Sequence, residues 1–253
     1  MSLSFRQSDI LEIARQQGRV TVEGLAEQFS VTVQTIRRDL AELADMGKLD
    51  RVHGGAVLHS GVSNIGYEDR RGLNEEAKYR IGEICAASIP DGASVFMNIG
   101  TSTEAVARHL LDHKNLMVVT NNMNVANILV ENPECRIVVA GGVLRRSDGG
   151  LIGDLTASTI RQFKVDYAII GCSALDADGD LLDFDFQEVQ VSQTIIAQAR
   201  QTFLVADQSK FQRTAPARIA SLADIGMFFT DHALPHDLDA KCEEWETQVK
   251  LCL

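Results

Sequence analysis

From Pro90 onward, short apolar runs alternate with longer amphipathic ones, and few architectures accept that rhythm. The strand-like runs are 93–99, 116–120, 136–140, 166–170, 203–206 and 226–230; helix-like runs at 103–111, 125–131, 155–163, 188–200 and 238–246 lie between or after them. Strands covered on both faces read as unbroken apolar stretches, and helices between them supply the crossovers that parallel strands need. The pattern predicts an α/β domain with a mostly parallel sheet.

In such sheets ligands sit beyond the carboxyl ends of the strands. The loops expected there are N-I-G-T-S-T (98–103), T-N-N-M-N (120–124), A-G-G-V-L-R-R-S-D-G-G (140–150), G-C-S-A-L-D-A-D-G-D (171–180) and A-D-Q-S-K-F (206–211). Gly, Thr, Ser, Asn and cations converging on one edge suit a small phosphorylated polyol or sugar. Amides opening the helix after Gly100 favour an anion, with hydroxyls from Thr101, Ser102 and Thr103 beside them. Asn121 and Asp176 join the candidate set, with Lys210 or Arg145 as counter-charge. Each residue also has a local use. Thr101 and Glu104 are spaced as a capping box, Asn121 and Asn122 suit a turn, 176–180 suits a surface turn, and Lys210 suits water.

The amino-terminal part carries a different signal. On a helix, S-V-T-V-Q-T-I-R-R-D-L-A-E-L (30–43) places Val33, Ile36, Leu40 and Leu43 in one apolar stripe, with Thr32 as N-cap and Gly47 just past the end. Gln34 and Arg38 point away from it, flanked by Thr35 and Arg37. Gln pairs with adenine, Arg with guanine, and Thr with phosphate or a thymine methyl, so this face suits a DNA major groove. Alone it would equally be a solvated surface helix. Its neighbours decide: a helix over 5–17, a short one over 21–29, and two strand-like runs astride Gly54-Gly55, a hairpin signal. Helix, turn, helix, hairpin is the order of a winged helix-turn-helix. Arg51 and His53 beside the turn would reach a phosphate or the minor groove. The expected organisation is a DNA-binding domain over 1–58, a linker over 59–74 and the α/β domain over 75–253, with the charged segment Y-E-D-R-R-G-L-N-E-E-A-K (67–78) reading equally as a solvated connector or an interdomain latch.

Net charge is −11, but residues 1–58 carry seven Lys/Arg against eight Asp/Glu and residues 59–253 carry 17 against 27. DNA affinity would therefore rest on a focused patch of Arg37, Arg38 and Arg51, with Arg6 and His53 as further candidates. No apolar run reaches the ~18–20 residues of a membrane span, and the first residues lack a signal-peptide core. Five cysteines without C-x-x-C or histidine spacing read as reduced thiols of a cytoplasmic protein. No metal or other cofactor is expected.

S-V-T-V-Q-T-I-R-R-D-L, R-V-H-G-G-A, T-N-N-M-N-V-A-N, A-G-G-V-L-R and A-D-Q-S-K-F, in this order, resemble the DeoR family of bacterial transcriptional regulators over essentially the whole chain. The resemblance implies a homo-oligomeric repressor, dimer or tetramer. It also implies an effector domain of ribose-5-phosphate isomerase-like fold and release from operator DNA by a phosphorylated metabolite. D-G-G-L-I-G (148–153) and 175–189 are similar to the members that answer to glycerol 3-phosphate; another sugar phosphate is the alternative. Carried over, the phosphate loop falls on Gly100, Thr101, Ser102 and Thr103, the ligand lysine on Lys210, and the recognition residues on Gln34, Thr35, Arg37 and Arg38. Two positions depart. Ile170-Gly171-Cys172-Ser173 stands where the isomerases carry Asp-Gly-Ala-Asp, so no base is evident and no enzyme activity is expected. An isomerase-type enzyme with an appended DNA-binding domain is the rival, resting on Asp176, Asp183 and Glu188. Second, Ser192-Gln193 replaces the family's common Lys-Arg.

Overall fold

In the computed structural model, residues 3–17, 19–46, 48–52, 54–58 and 66–253 are described. The amino-terminal unit runs α1 (Phe5–Gln17), β1 (Arg19–Thr21), α2 (Val22–Gln28), α3 (Val33–Asp45), β2 (Leu49–Val52) and β3 (Gly55–Leu58). Thr21 ends its strand and caps α2, its side chain accepting from Gly24 N at 3.1 Å. Thr32 caps α3 in the same way, accepting from Thr35 N at 3.2 Å. Ser30, at φ +52°, makes the turn between the two helices. The expected stripe faces inward: Ile36, Leu40 and Leu43 are buried against Ile10, Leu11 and Ala14 of α1, Leu25 of α2, and Leu49 and Ala56 of the hairpin. Val33 is half-buried at the rim. The proposed helix stop, Gly47, lies outside the described residues.

The hairpin is one strand wider than the sequence pattern suggested, because β1 pairs antiparallel with β3 in the order β1-β3-β2. The two glycines of the turn have separate jobs. Gly54 adopts φ +76°, which favours glycine. At Gly55 an added Cβ would lie 1.9 Å from the Val20 carbonyl oxygen, so the third strand fits only against a bare backbone.

The second unit continues with α4 (Tyr67–Gly72), α5 (Glu75–Ala87), β4 (Ser94–Met97), α6 (Thr101–His109), β5 (Leu116–Thr120), α7 (Met123–Leu129) and β6 (Cys135–Val139). A small hairpin, β7 (Val143–Arg145) and β8 (Gly150–Ile152), precedes α8 (Asp154–Ile160), β9 (Val165–Ile170), β10 (Ala174–Leu175), β11 (Asp180–Asp183) and α9 (Phe186–Ala197). The chain ends with β12 (Ala199–Val205), a 3-10 turn over Gln208–Gln212, β13 (Ala217–Ser221), β14 (Met227–Thr230), α10 (His236–Glu244) and β15 (Gln248–Leu251).

Seven strands form one parallel sheet in the order β15-β14-β12-β9-β4-β5-β6. Successive side chains go to opposite faces. Val95, Met97, Val118, Ile169, Phe203 and Phe229 meet Ile81, Cys85, Val106, Leu110 and Leu129 of α5–α7. Phe96, Val119, Ala168, Ile170, Leu204 and Phe228 meet Ile160, Val189, Ile195 and Leu238 from α8–α10 on the other face. That two-sided burial is why the strands read as continuous apolar runs. The chain leaves β4 towards β5 and β6, then returns to β9 on β4's other side. The resulting switch point between β4 and β9 opens a crevice at their carboxyl ends. A three-stranded antiparallel sheet, β10-β11-β13, stands beside it. Among the described residues, no helix is long and apolar enough to cross a membrane.

Candidate functional site

Two surfaces carry unspent chemistry. The first is the outer face of α3. Gln34, Arg37 and Arg38 are exposed and Thr35 half-exposed. Thr35 Oγ1 lies 2.9 Å from Thr32 Oγ1, inside the cap. Arg38 Nε donates to Glu42 Oε1 at 3.0 Å, an exposed i,i+4 pair that costs little to break. Arg6 is placed differently from the basic patch foreseen for it. Its Nε and Nη2 donate to the two oxygens of buried Asp39 at 2.6 and 3.3 Å, locking α1 to α3. Arg51 sits on β2 opposite Ala56. His53 lies outside the described residues.

The second surface is the crevice at the switch point. Its walls are Ile99, Gly100, Thr101 and Ser102 after β4, Gly171, Cys172 and Ser173 after β9, Asp183 of β11, Glu188 of α9, Lys210 of the 3-10 turn, and Arg70 of α4. α6 begins at Gly100 without a side-chain cap. Gly100, at φ +150°, leaves the first-turn amides open to a ligand. Thr103 turns away, its Oγ1 2.7 Å from both Asn98 O and Gly100 O. The capping box expected over Thr101–Glu104 does not form. Buried Glu104 instead accepts from Tyr67 Oη at 2.8 Å and from Asn124 Nδ2 at 3.0 Å, tying α4 and α7 to α6.

Lys210 is buried, and desolvation pulls its pKa down against the pull of Asp207. Burial works to raise the Asp207 carboxyl, but Lys210, the Ser209 amide at 3.0 Å and Lys78 outweigh it and hold the group low. Asn74 Nδ2 adds a bond at 2.7 Å. Across the crevice, burial and the neighbouring Asp183 charge push Glu188 up to about 8 against the pull of Arg145. Asp183 accepts from Ser173 Oγ at 2.8 Å. Burial raises the Cys172 thiol to about 12, so it is no nucleophile at neutral pH. One wall therefore offers cations, amides and hydroxyls, and the other offers two carboxyl groups. That division fits a ligand with an anionic end and a hydroxylated end.

A family model described as the DeoR-like helix-turn-helix domain matches residues 6–62, and one described as the DeoR C-terminal sensor domain matches residues 73–232. The chain belongs to the DeoR family. It is 44% identical to the glycerol-3-phosphate regulon repressor of Escherichia coli (strain K12), with all of both chains aligned. The protein of that name from Haemophilus influenzae is 45% identical over all of this chain and 98% of its own. The HTH-type transcriptional repressor CsqR of Escherichia coli (strain K12) is 37% identical over 97% of this chain and 94% of its own. Among solved structures, ribose 5-phosphate isomerase A from Methanocaldococcus jannaschii is similar at a TM-score of 0.41, covering 55% of each chain at 14% identity.

Within this DeoR chain the crevice brings together only part of the set expected from the sequence. Gly100, Thr101, Ser102 and Lys210 line it. Asn121 is buried, with Nδ2 donating to Leu151 O at 3.1 Å. Asp176 shapes the β10–β11 turn, its Oδ1 accepting from Asp178 N and Asp180 N at 3.0 and 2.9 Å. Arg145 is committed to Asp148 at 2.9 and 2.7 Å, Asp185 at 2.6 Å and Glu188 at 2.5 Å, which raises its pKa further. Asp148 and Asp185 alone leave it no charge to offer an anion. Ser192 accepts from Asn98 Nδ2 at 2.8 Å and Gln193 reaches Arg218 O and Ile219 O, so the pair that replaces Lys-Arg is used in packing α9.

Arg70 and Lys78 lie outside the candidate set that the sequence motifs mark. Lys78 lies on the apolar stripe of α5 with Ile81 and Cys85, and a charge in such a stripe is itself a signal. It donates to the carbonyls of Arg70 and Leu73, and burial lowers its pKa to about 8.

Proposed function

We propose that this DeoR-family protein is a transcriptional repressor of a carbon-catabolic operon that leaves its operator when a small phosphorylated polyol binds the crevice. Glycerol 3-phosphate is the first candidate. The observation that carries the reading is the two-sided chemistry of the switch-point crevice. A phosphate suits the start of α6, Ser102 and Lys210, while hydroxyls suit Ser173, Asp183 and Glu188. The relatives aligned over their whole length, named for the glycerol-3-phosphate regulon, support the same ligand.

In this reading the protein acts in the cytoplasm as a homo-oligomer. Two copies of α3 must sit about one DNA turn, or a multiple, apart to bind together. Bound effector disfavours that arrangement, and operator DNA weakens effector binding by the same factor. Isomerase chemistry is disfavoured. Ile170 and Ser173 offer no carboxylate at the end of β9, Asp183 is tied to Ser173, and Glu188 is hydrogen-bonded to Arg145.

Fluorescence anisotropy on the DNA upstream of the protein's own gene, at fixed salt, tests the proposal with a panel of phosphorylated three- to six-carbon compounds. Release by glycerol 3-phosphate alone supports it. Release by another sugar phosphate keeps the repressor and replaces the ligand, and tight binding indifferent to every compound removes the effector. Turnover of pentose or triose phosphates, lost in Glu188→Ala, would make the protein an enzyme.

On α3, Arg38→Ala should weaken specific operator binding by about 1–3 kcal/mol, more than it weakens binding to random DNA, if the guanidinium leaves Glu42 for a base. Equal losses on both DNAs would reduce Arg38 to a phosphate contact. A second expectation concerns pH. Glu188 gains its charge as pH rises through about 8, adding a negative charge beside an anionic ligand. Affinity for glycerol 3-phosphate should fall between pH 7 and 9, and fall less in Glu188→Gln. Calorimetric titration at both pH values measures this, and parallel curves for the two proteins would place Glu188 away from the ligand.

A further inference from the structure

The least settled cation at the crevice is Arg70, and its position in the chain gives that fact consequences. Arg70 belongs to α4, the first described helix after the winged-helix unit. Its side chain is only 16% exposed, and its Nε is buried without a hydrogen-bond partner. Nη2 reaches Asp148 Oδ2 at 3.3 Å, a long contact to a carboxylate that already takes two bonds from Arg145 at 2.9 and 2.7 Å. Asp148 therefore loses little if Arg70 leaves. A desolvated donor without an acceptor is costly, and an anion in the crevice would remove that cost.

Geometry puts such an anion within Arg70's surroundings. Arg70 lines the crevice with Thr101, Ser102 and Lys210, and also lines the adjoining cavity that holds Arg145 and Asp148. With Asp183 and Glu188 it forms the wall common to both. Its carbonyl accepts from Lys78 Nζ and lies 3.4 Å from Thr101 Oγ1, in the first turn of α6. The rest of α4 hangs on Tyr67, which donates to Glu104 at 2.8 Å and accepts from Asn124 Nδ2 at 3.0 Å. The helix that follows the DNA-binding unit is thus pinned to the residues that surround the ligand.

We propose that Arg70 binds the anionic end of the effector and, in leaving Asp148 to do so, resets α4, making it the relay between crevice and winged helix. This rests on the repressor reading above and adds to it a contact and a route. Arg70 exchanges one carboxylate for one phosphate, so no net charge is stranded. The driving force is the acceptor supplied to Nε, in a crevice that buried Lys210 also lines. α4 is short and held mainly by polar contacts, so moving it breaks no large apolar core.

Two measurements on the full-length protein test this, with glycerol 3-phosphate as the probe. In Arg70→Gln, effector affinity without DNA should fall about tenfold or more, as for loss of a charge-assisted hydrogen bond. The ratio of effector Kd with operator to Kd without it should also collapse towards one. Weakened affinity with a wild-type ratio would leave Arg70 a contact but no relay, and unchanged affinity would remove the contact; either overturns the proposal. Hydrogen exchange on the wild type does not depend on the variant folding. Saturating effector should protect the first turn of α6 and alter exchange over 67–72 several-fold. Protection of α6 with 67–72 unchanged overturns the relay and spares the repressor. Absence of any protection, together with absence of operator release, takes down the repressor reading and the relay with it.

Discussion

Gly55→Ala is expected to abolish operator binding while the α/β domain melts as in the wild type. The added methyl would sit 1.9 Å from the Val20 carbonyl oxygen, 3.0 Å from its carbon and 3.1 Å from Thr21 Cα. All three are backbone atoms, so no side-chain rotation relieves the clash. β3 must move away from β1, breaking the Thr21–Gly55 and Val20–Ala56 register and the bond from Val22 N to Gly54 O at 2.9 Å. Ala56 is fully buried among Ile10, Leu40 and Leu49, so the shift also opens the core that seats α3. A domain of this size has only about 3–8 kcal/mol of stability to lose, and a backbone clash of this kind consumes about 4 kcal/mol or more. Two thermal transitions followed by circular dichroism, with anisotropy on operator DNA, provide the check. Gly54→Ala is the contrast. It meets no atom within 4 Å and carries only the strain of φ +76°, a cost of about 1–2 kcal/mol. Retention of operator binding by Gly55→Ala would mean that β1–β3 pairing does not hold the reading helix in place.

How far the sequence reveals the molecule follows from the range of each interaction. α3 is legible because its stripe, its Thr32 cap and its exposed Gln34, Arg37 and Arg38 all lie within 14 consecutive residues. The central strands are legible because two-sided burial imposes an unbroken apolar run on each. β15 and the β10-β11-β13 sheet are short, carry polar residues and draw their partners from elsewhere in the chain. The site divides the same way. Gly100 and Ser102 follow from a local loop-to-helix turn. Arg145's fate is set by Asp185 and Glu188, 40 and 43 positions away. Glu104 is spaced for a capping box, yet a tyrosine 37 positions upstream claims it. Arg70 cannot be placed from the sequence because its segment reads equally as a charged connector or an interdomain latch until α6 and the β7–β8 hairpin are in place around it.

Lys210→Met should leave operator affinity near wild type and raise the effector concentration for half-release about a hundredfold. The lysine is the buried cation of the 3-10 turn and lines the crevice with the start of α6, and Met keeps its length without the charge. Loss of one charge-assisted contact to a phosphate costs about 1.5–3 kcal/mol, and burial places that loss towards the upper end because solvent cannot replace the cation. A second consequence separates this residue from a surface lysine. Asp207 is fully buried and Lys210 is the strongest of the charges that hold it ionised. Without Lys210 it keeps Asn74 Nδ2, the Ser209 amide and the charge of Lys78, so its carboxyl pKa should rise. Breaking a buried pair costs about 3–5 kcal/mol, less here because Lys78 remains. The variant's α/β domain should therefore melt lower at pH 7, by a margin that narrows as pH falls and Asp207 takes up a proton. Lys210→Met with Asp207→Asn should recover most of the melting temperature and none of the effector response. If the double variant responds to glycerol 3-phosphate like the wild type, Lys210 serves the fold alone and the anion must be held by α6 and Arg70.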